Sequence, residues 1–255
     1  MTFDITGKSQ EWIAPTDQLQ AMITEFLEIF DNRPIKDNQG GVNSIGAFSL
    51  WYFLKRHQPE LIVESGIWKG QTTWLIEQTL PNVEIICFDP NRKIREYESS
   101  NAEYLKGDFT KYSFPKFDPD KALVFFDDHQ DAIKRVIHAR RKGFKHLVFD
   151  DNYAVGAGAH RSIAHGLAEN DNITEYLTTV IETYQIFPPI FPYDEPITGE
   201  KIQIQIPALD LPDDAKYQIF KDHMASYRWM TYVKLNENAN VSLTRKAFEW
   251  MNRSL

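Results

Sequence analysis

The chain has one cysteine in 255 residues, Cys87, so no internal disulfide holds it together. A lone thiol suits a reducing compartment, and a cytoplasmic location is expected. Long apolar runs are also missing. The longest obvious one, Ala122–Phe126, falls far short of the ~20 residues that span a bilayer. The opening stretch MTFDITGKSQ lacks the basic and apolar regions of a secretory signal. Positive charge is in deficit: 28 Lys and Arg against 36 Asp and Glu leave a formal charge of −8. Neither a nucleic-acid nor a membrane partner is expected, because phosphate neutralisation needs a basic face. Internal repeats and low-complexity tracts are absent. At 42% hydrophobic and 25% charged residues, the composition is that of a globular protein with a sizeable core.

Pro15, Thr16 and Asp17 start a helix in which Leu19, Met22, Ile23, Phe26, Leu27 and Phe30 recur at helical spacing. Residues 31–41 break it, and a second helix is expected over 44–56, with Trp51 and Tyr52 packing against a sheet edge. Strands and helices then alternate. Strands are expected at 61–63, 83–88, 102–105, 122–126 and 146–149, with helices at 70–80 and 132–142. The strands are near-continuous apolar runs, as in a parallel sheet covered on both faces. Residues 163–184 suggest helix in part, 202–206 and 227–235 suggest strands, and 243–252 a closing helix. The proline- and aromatic-rich stretch FPPIFPYDEP, 187–196, is placed to form an acceptor-site cap. The organisation is one compact domain: an N-terminal helical extension (1–58), a cofactor-binding core (59–158), and the rest of the sheet with its cap (159–255).

Successive strands end in carboxylates: Glu64, Asp89, Asp108, Asp127, and Asp150 with Asp151. The carboxyl ends of parallel strands line one crevice, where ligands bind. Converging acids repel one another unless donors or a cation join them, so a ligand rich in hydroxyls and amines, a metal, or both is implied. Gly66 and Gly70 allow a tight turn after the first strand. Asp89 lies 23 residues beyond Gly66, where an acid accepts both ribose hydroxyls. Asp108 is placed to accept from an adenine amino group. Trp68 sits in the same turn and can shield a ligand. Carboxylates and an amide suit Mg²⁺, Ca²⁺ or Mn²⁺.

The ordered motifs ESGIWKGQTT, CFDP, LKGD, FFDDHQD and FDDNYAVG resemble those of class I S-adenosylmethionine-dependent methyltransferases. The form E-x-G-x-x-x-G-x-Ser/Thr is similar to that of the metal-dependent catechol and caffeoyl-CoA O-methyltransferases. The resemblance implies a Rossmann-like, doubly wound α/β fold with a mostly parallel seven-stranded sheet. It implies methyl transfer to an oxygen of a small molecule (a sugar, phenol or natural product), assisted by a divalent cation such as Mg²⁺. It makes Glu64, Gly66, Gly70, Thr72, Asp89, Asp108 and Asp127 cofactor contacts, and Asp127, Asp151 and Asn152 metal ligands. The family places a lysine base where this chain has Gln130, and a second acid at Asp131. Gln130 cannot take a proton; His129 can, and with Asp127 it is the candidate catalytic pair. Asp127-Asp128-His129 and Asp150-Asp151 also resemble the macrolide-sugar O-methyltransferases and the cephalosporin-hydroxylase-like group, in which Asp150 replaces Asn152 as ligand. An iron-dependent oxygenase on this fold and a non-catalytic cofactor-binding module are the alternatives. A homodimer is the prior for such a chain. Cys87 is expected in the core, the basic run from Lys134 to Lys142 on a solvated surface, and His160 with His165 unsuited to one zinc site.

Overall fold

The computed structural model describes residues 16–153, 155–169, 172–186, 211–224 and 230–239. Two helices come first, α1 (Thr16–Phe30) and α2 (Ser44–His57). The Asn43 side chain caps α2 by accepting from the Gly46 N–H, satisfying a donor that has no partner inside the helix. Alternation then follows: β1 (Leu61–Ser65), α3 (Gln71–Thr79), β2 (Glu84–Phe88), β3 (Ala102–Leu105), β4 (Ala122–Phe126), α4 (Ala132–Arg141) and β5 (His146–Phe149). The chain continues through α5 (Ile163–Ala168), α6 (Asn172–Val180), β6 (Ile181–Ile186), α7 (Ala215–Met224) and β7 (Thr231–Leu235).

The seven strands form one sheet in the order β3-β2-β1-β4-β5-β7-β6. Only β7 runs against its neighbours, β5 and β6. This is the expected Rossmann-like, doubly wound sheet. It keeps the 3-2-1-4-5 order of dinucleotide-binding folds and inserts an antiparallel strand before the sixth. The winding direction reverses between β1 and β4, and that switch point opens a crevice at the strand ends. Register makes the ends level: Ser65 pairs with both Phe88 and Phe126, and Phe126 with Phe149. The next residues, Gly66, Asp89, Asp127 and Asp150, therefore emerge along one line.

Alternate strand residues feed two cores. Ile62, Ile85, Cys87, Leu123, Phe125 and Val148 pack under α1, α2, α3 and α7. Val63, Ile86, Val124, Leu147 and Phe149 pack under α4, α5 and α6. Phe26, Phe48, Trp51 and Phe220 join α1, α2 and α7 through ring contacts of 5.5–6.5 Å. Each such ring contributes roughly 1.5–3 kcal/mol by burial.

Residues 163–184 are helical in part, as expected: α6 ends at Val180, and the following residues form the edge strand β6. Two expectations need correction. The α2 helix lies on a sheet face, not at an edge, because its inward residues Phe48, Leu50, Trp51 and Leu54 are as apolar as the strands below. Arg135 is buried within the basic run expected to be solvated. The cap at 187–196, the strand at 202–206 and the helix at 243–252 lie outside the described residues. No helix among the described residues is long and apolar enough to cross a membrane.

Candidate active site

The turn after β1 depends on glycine. Gly66 has φ +91°, and a Cβ there would lie 2.2 Å from the Asp127 carbonyl oxygen. Its absence lets the ends of β1 and β4 meet, with the Asp127 N–H donating to the Ser65 carbonyl at 2.8 Å. Gly70 has φ +96° and makes a similar approach to the Tyr97 carbonyl, at 2.4 Å from its own missing Cβ. Asp89 fastens this turn. Its Oδ2 accepts from the backbone N–H groups of Ile67 (3.0 Å) and Trp68 (3.3 Å), and its Oδ1 from Asn91 (2.6 Å). Trp68 is 40% exposed over the turn, and its indole donates to the Gln39 carbonyl.

Glu64 has no exposed surface. Its Oε2 accepts from Thr73 Oγ1 at 2.5 Å and from Cys87 Sγ at 3.4 Å; Oε1 has no partner among the described residues. Burial raises its pKa to about 7. The hydroxyl that meets the strand-end acid is thus Thr73; Thr72 is buried in the first turn of α3. A direct cofactor contact by Glu64 would require this turn to open.

Asp108 also departs from expectation. Its two oxygens hold Arg135 in a fork, at 3.0 and 2.7 Å, instead of facing an open base pocket. Burial pushes its carboxyl upward, but hydrogen bonds from Arg135 and Thr110 outweigh this and hold it well below the usual carboxylate range. The same guanidinium reaches Asp128 Oδ2 at 2.7 Å, which also accepts from Ser65 Oγ at 2.5 Å. Arg135 therefore ties the ends of β1, β3 and β4 together from beneath.

The β4 and β5 ends bring Asp127, His129 and Asp151 together, with one ligand atom from each lying within 4.8 Å of the others. His129 takes a left-handed conformation, φ +53°, which turns its ring back over the strand ends. Its Nε2 lies 2.9 Å from Asp151 Oδ2 and 3.8 Å from Asp127 Oδ1. His129 is 57% exposed, whereas Asp151 is buried. The hydrogen bond that His129 donates to Asp151 raises the imidazole pKa, and partial burial opposes it. His160 stacks on the His129 ring, centroids 5.9 Å apart.

Asn152 does not belong to this cluster. Its amide donates to Tyr184 Oη (2.6 Å) and Thr231 Oγ1 (2.9 Å) and accepts from the Ala164 N–H (3.1 Å), so both ends are engaged in the core. Asp150 is buried against α2, its Oδ1 3.5 Å from where a Cβ on Gly46 would sit. Asp131 caps α4 through the Ile133 and Lys134 N–H groups. Gln130 is exposed and bonds back to Asp128. The sequence names His129 as a candidate base beside Asp127, and the structure places it against both Asp127 and Asp151. The role of Arg135 had no signal in the sequence, where it reads as one more charge in a basic run.

No protein-family model matches the chain, and no curated protein matches it. Solved structures do resemble it. The plantazolicin methyltransferase BpumL, in complex with a pentazolic desmethylPZN analogue and SAH, is 14% identical over 87% of this chain and 98% of its own, at a TM-score of 0.46. The SAH-bound methyltransferase PaMTH1 of Podospora anserina is 12% identical over 84% and 88%, at 0.44. SAH-bound CmcI is 15% identical over 44% of this chain, at 0.37. The chain spans 62% of that CmcI chain and 63% of its apo form. At such scores the likeness adds nothing to what the sheet and the site show by themselves.

Proposed function

We propose that the protein transfers a methyl group from S-adenosylmethionine to an oxygen of a small molecule, with a divalent cation assisting. One observation carries the reading: the Asp127–His129–Asp151 cluster stands at the switch-point crevice, beside a glycine turn fastened by Asp89. S-adenosylmethionine would supply the methyl group. Asp89 would take its ribose, because a carboxylate has about four acceptor sites and three are in use. Trp68 would cover it. Glu64 supports the turn from behind through Thr73.

His129 and Asp151 form an imidazole–carboxylate pair. In the neutral ring Nε2–H donates to Asp151, leaving the Nδ1 lone pair for an acceptor hydroxyl proton. Asp151 then stabilises the imidazolium. Such general-base assistance is worth about 10²–10⁴ in rate. The three ligand atoms are close enough together to hold one cation, and Asp127, His129 and Asp151 would hold it; a ring nitrogen that ligates the cation takes no proton, so with the cation bound the loss of the hydroxyl proton would rest on the metal and not on His129. A bound cation would lower the pKa of a substrate hydroxyl and fix its place. The imidazole nitrogen favours Mn²⁺ over Mg²⁺, departing from the all-oxygen set expected. The cluster has one imidazole and two carboxylates, the inverse of the two-histidine, one-carboxylate triad of non-haem iron oxygenases, so the oxygenase alternative is less well supported.

The test is calorimetric titration of the folded chain with S-adenosylhomocysteine, then with Mn²⁺ and Mg²⁺. Saturable binding, with the cation heat lost in Asp127→Asn and Asp151→Asn, is expected. A folded chain that takes up no S-adenosylhomocysteine would end the methyltransferase reading. Unchanged cation binding in both variants would end the metal assignment.

A further inference from the structure

The basic run on α4 divides by position. Arg135 turns to the strand-end carboxylates, whereas Arg140 and Arg141, near the end of the helix, line a cavity of about 430 Å³. The other walls come from the connections that precede β4 and β5, from Tyr176 of α6 and from Leu235 at the end of β7. These segments adjoin the starts of the parallel strands. A strand of five residues, about 17 Å long, therefore separates the cavity from the crevice. Its size is that of a small-molecule site.

The contacts of the arginines among the described residues are neutral. Arg140 Nη2 donates to the Ala239 carbonyl at 2.6 Å, its side chain bonds to Tyr176, and its Nε is buried with no partner among the described residues. Arg141 is exposed, and among the described residues neither arginine forms an ion pair. The one acid in the described lining, Glu237, is exposed and acts on Lys145. Helix ends attract arginine for another reason, since their last carbonyls carry partial negative charge. Here backbone N–H groups already meet that demand: those of Lys142, Gly143 and Phe144 bond to the carbonyls of His138, Ala139 and Arg140. The two side chains are left to face the cavity.

The floor is apolar. Ile137, Phe144, Tyr176 and Leu235 are all buried, and Phe144 is held in place by stacking on Phe117 at 4.5 Å. Guanidinium groups over such a floor are complementary to a carboxylate on an apolar body: the planar fork takes both oxygens, and the body displaces water from the rest. Charge sets the valence. Two arginines against Glu237 leave one net positive charge in the lining, which matches a monoanion, whereas a phosphate dianion would be repelled by Glu237.

We propose that this cavity is a second binding site, separate from the crevice, for a small organic monoanion: a carboxylate on an apolar body, anchored by Arg140 and Arg141. The site goes beyond the methyltransferase reading and does not rest on it. The test is methyl NMR of the full chain, with the Ile137 and Leu235 signals assigned, titrated with 3-phenylpropionate, hexanoate, the neutral 3-phenylpropanamide and inorganic phosphate. Saturable shifts of both residues with at least one acid are expected, with the amide and phosphate about tenfold weaker or more. Saturation with S-adenosylhomocysteine should leave the acid affinity unchanged. Arg141→Gln, at an exposed position, should weaken acid binding about tenfold at unchanged circular dichroism. Arg140→Gln should do the same, and the wild-type spectra decide if that variant misfolds. No shift with either acid, equal affinity for the amide, or undiminished binding in Arg141→Gln overturns the site. Phosphate binding as tight as that of the acids overturns the apolar-body assignment. Competition by S-adenosylhomocysteine overturns the separation from the crevice, and its failure to bind anywhere leaves this site standing and removes the methyltransferase reading instead.

Discussion

Replacing Gly66 by alanine tests how the two halves of the crevice are held together. The backbone contribution comes from φ +91°, a conformation that costs an L residue about 1–2 kcal/mol. The steric contribution comes from the new methyl, which would lie 2.2 Å from the Asp127 oxygen, 2.5 Å from its carbonyl carbon and 2.8 Å from the Asp128 nitrogen. All three are backbone atoms at the end of a buried strand and cannot rotate away. Overpacking of this kind adds about 1–3 kcal/mol. Gly107 is the control: it has φ +120° with nothing within 4 Å of its missing Cβ, so its alanine variant carries only the backbone contribution. In urea at pH 7, Gly66→Ala should be the less stable of the two variants by about 1–3 kcal/mol. Because strain there is relieved by shifting Asp127 from its place in the crevice, it should also weaken S-adenosylhomocysteine and Mn²⁺ binding, which Gly107→Ala spares. Equal stabilities for the two variants would refute the claim that this contact closes the crevice.

Arg135→Leu leaves the Asp108 and Asp128 carboxylates facing each other at a buried site. A loss of about 3 kcal/mol is expected, at the low end for broken buried pairs because Asp108 is 38% exposed. Adding Asp108→Asn and Asp128→Asn should recover part of it, and a loss below about 1 kcal/mol by denaturant titration would contradict the tie. Glu64 has its folded pKa raised from 4.5 to about 7, so its contribution is intact below pH 4.5 and is lost as the pH rises towards 7. At about 1.4 kcal/mol per pH unit this amounts to about 3 kcal/mol. Glu64→Gln should therefore flatten the stability profile in that window and be the more stable form at pH 8; parallel profiles would count against it. His129 should titrate above 6.5 by NMR of its Cε1–H, and Asp151→Asn should lower that value, because the bond that favours the imidazolium is gone. An unmoved titration would separate the two residues in solution.

The central strands were legible because burial on both faces leaves no room for alternation: the bounds of β4 and β5 fall where the apolar runs ALVFF and HLVF fall. Sheet edges were harder. The β6 sequence IETYQI carries Glu182 and Gln185 and follows a helix without a break, so nothing in its period marks the change. Helix α7 buries little beyond Tyr217 and Phe220, too few residues to show a stripe. The strand-end acids were legible as a set but not by role. Asp108 and Asn152 carry the residue types of a site, yet their partners, Arg135 and Tyr184, lie 27 and 32 positions away. Only the fold decides which of two candidate side chains turns inward.

That division of roles has an electrostatic consequence for the crevice. Asp128 faces Arg135, whose charge is permanent. Asp127 and Asp151 face His129, whose charge depends on pH. Two carboxylates whose oxygens lie within 4.8 Å of each other repel, at an effective dielectric of 20, by about 3–4 kcal/mol, so the site gains most when a positive charge is present. An imidazolium meets that need only until it has given up its proton, and a general base must begin neutral. In the state ready for reaction the crevice therefore lacks a positive charge, and both ligands proposed for it, a divalent cation and a sulfonium, bring one. On the proposed reading, the neutral form of His129 would be favoured only once such a ligand has arrived. Binding of Mn²⁺ or S-adenosylmethionine should accordingly lower the His129 titration, and uncharged S-adenosylhomocysteine sulfur should lower it less. Equal shifts by the sulfonium and the thioether would show that charge at this point is not what the three side chains sense.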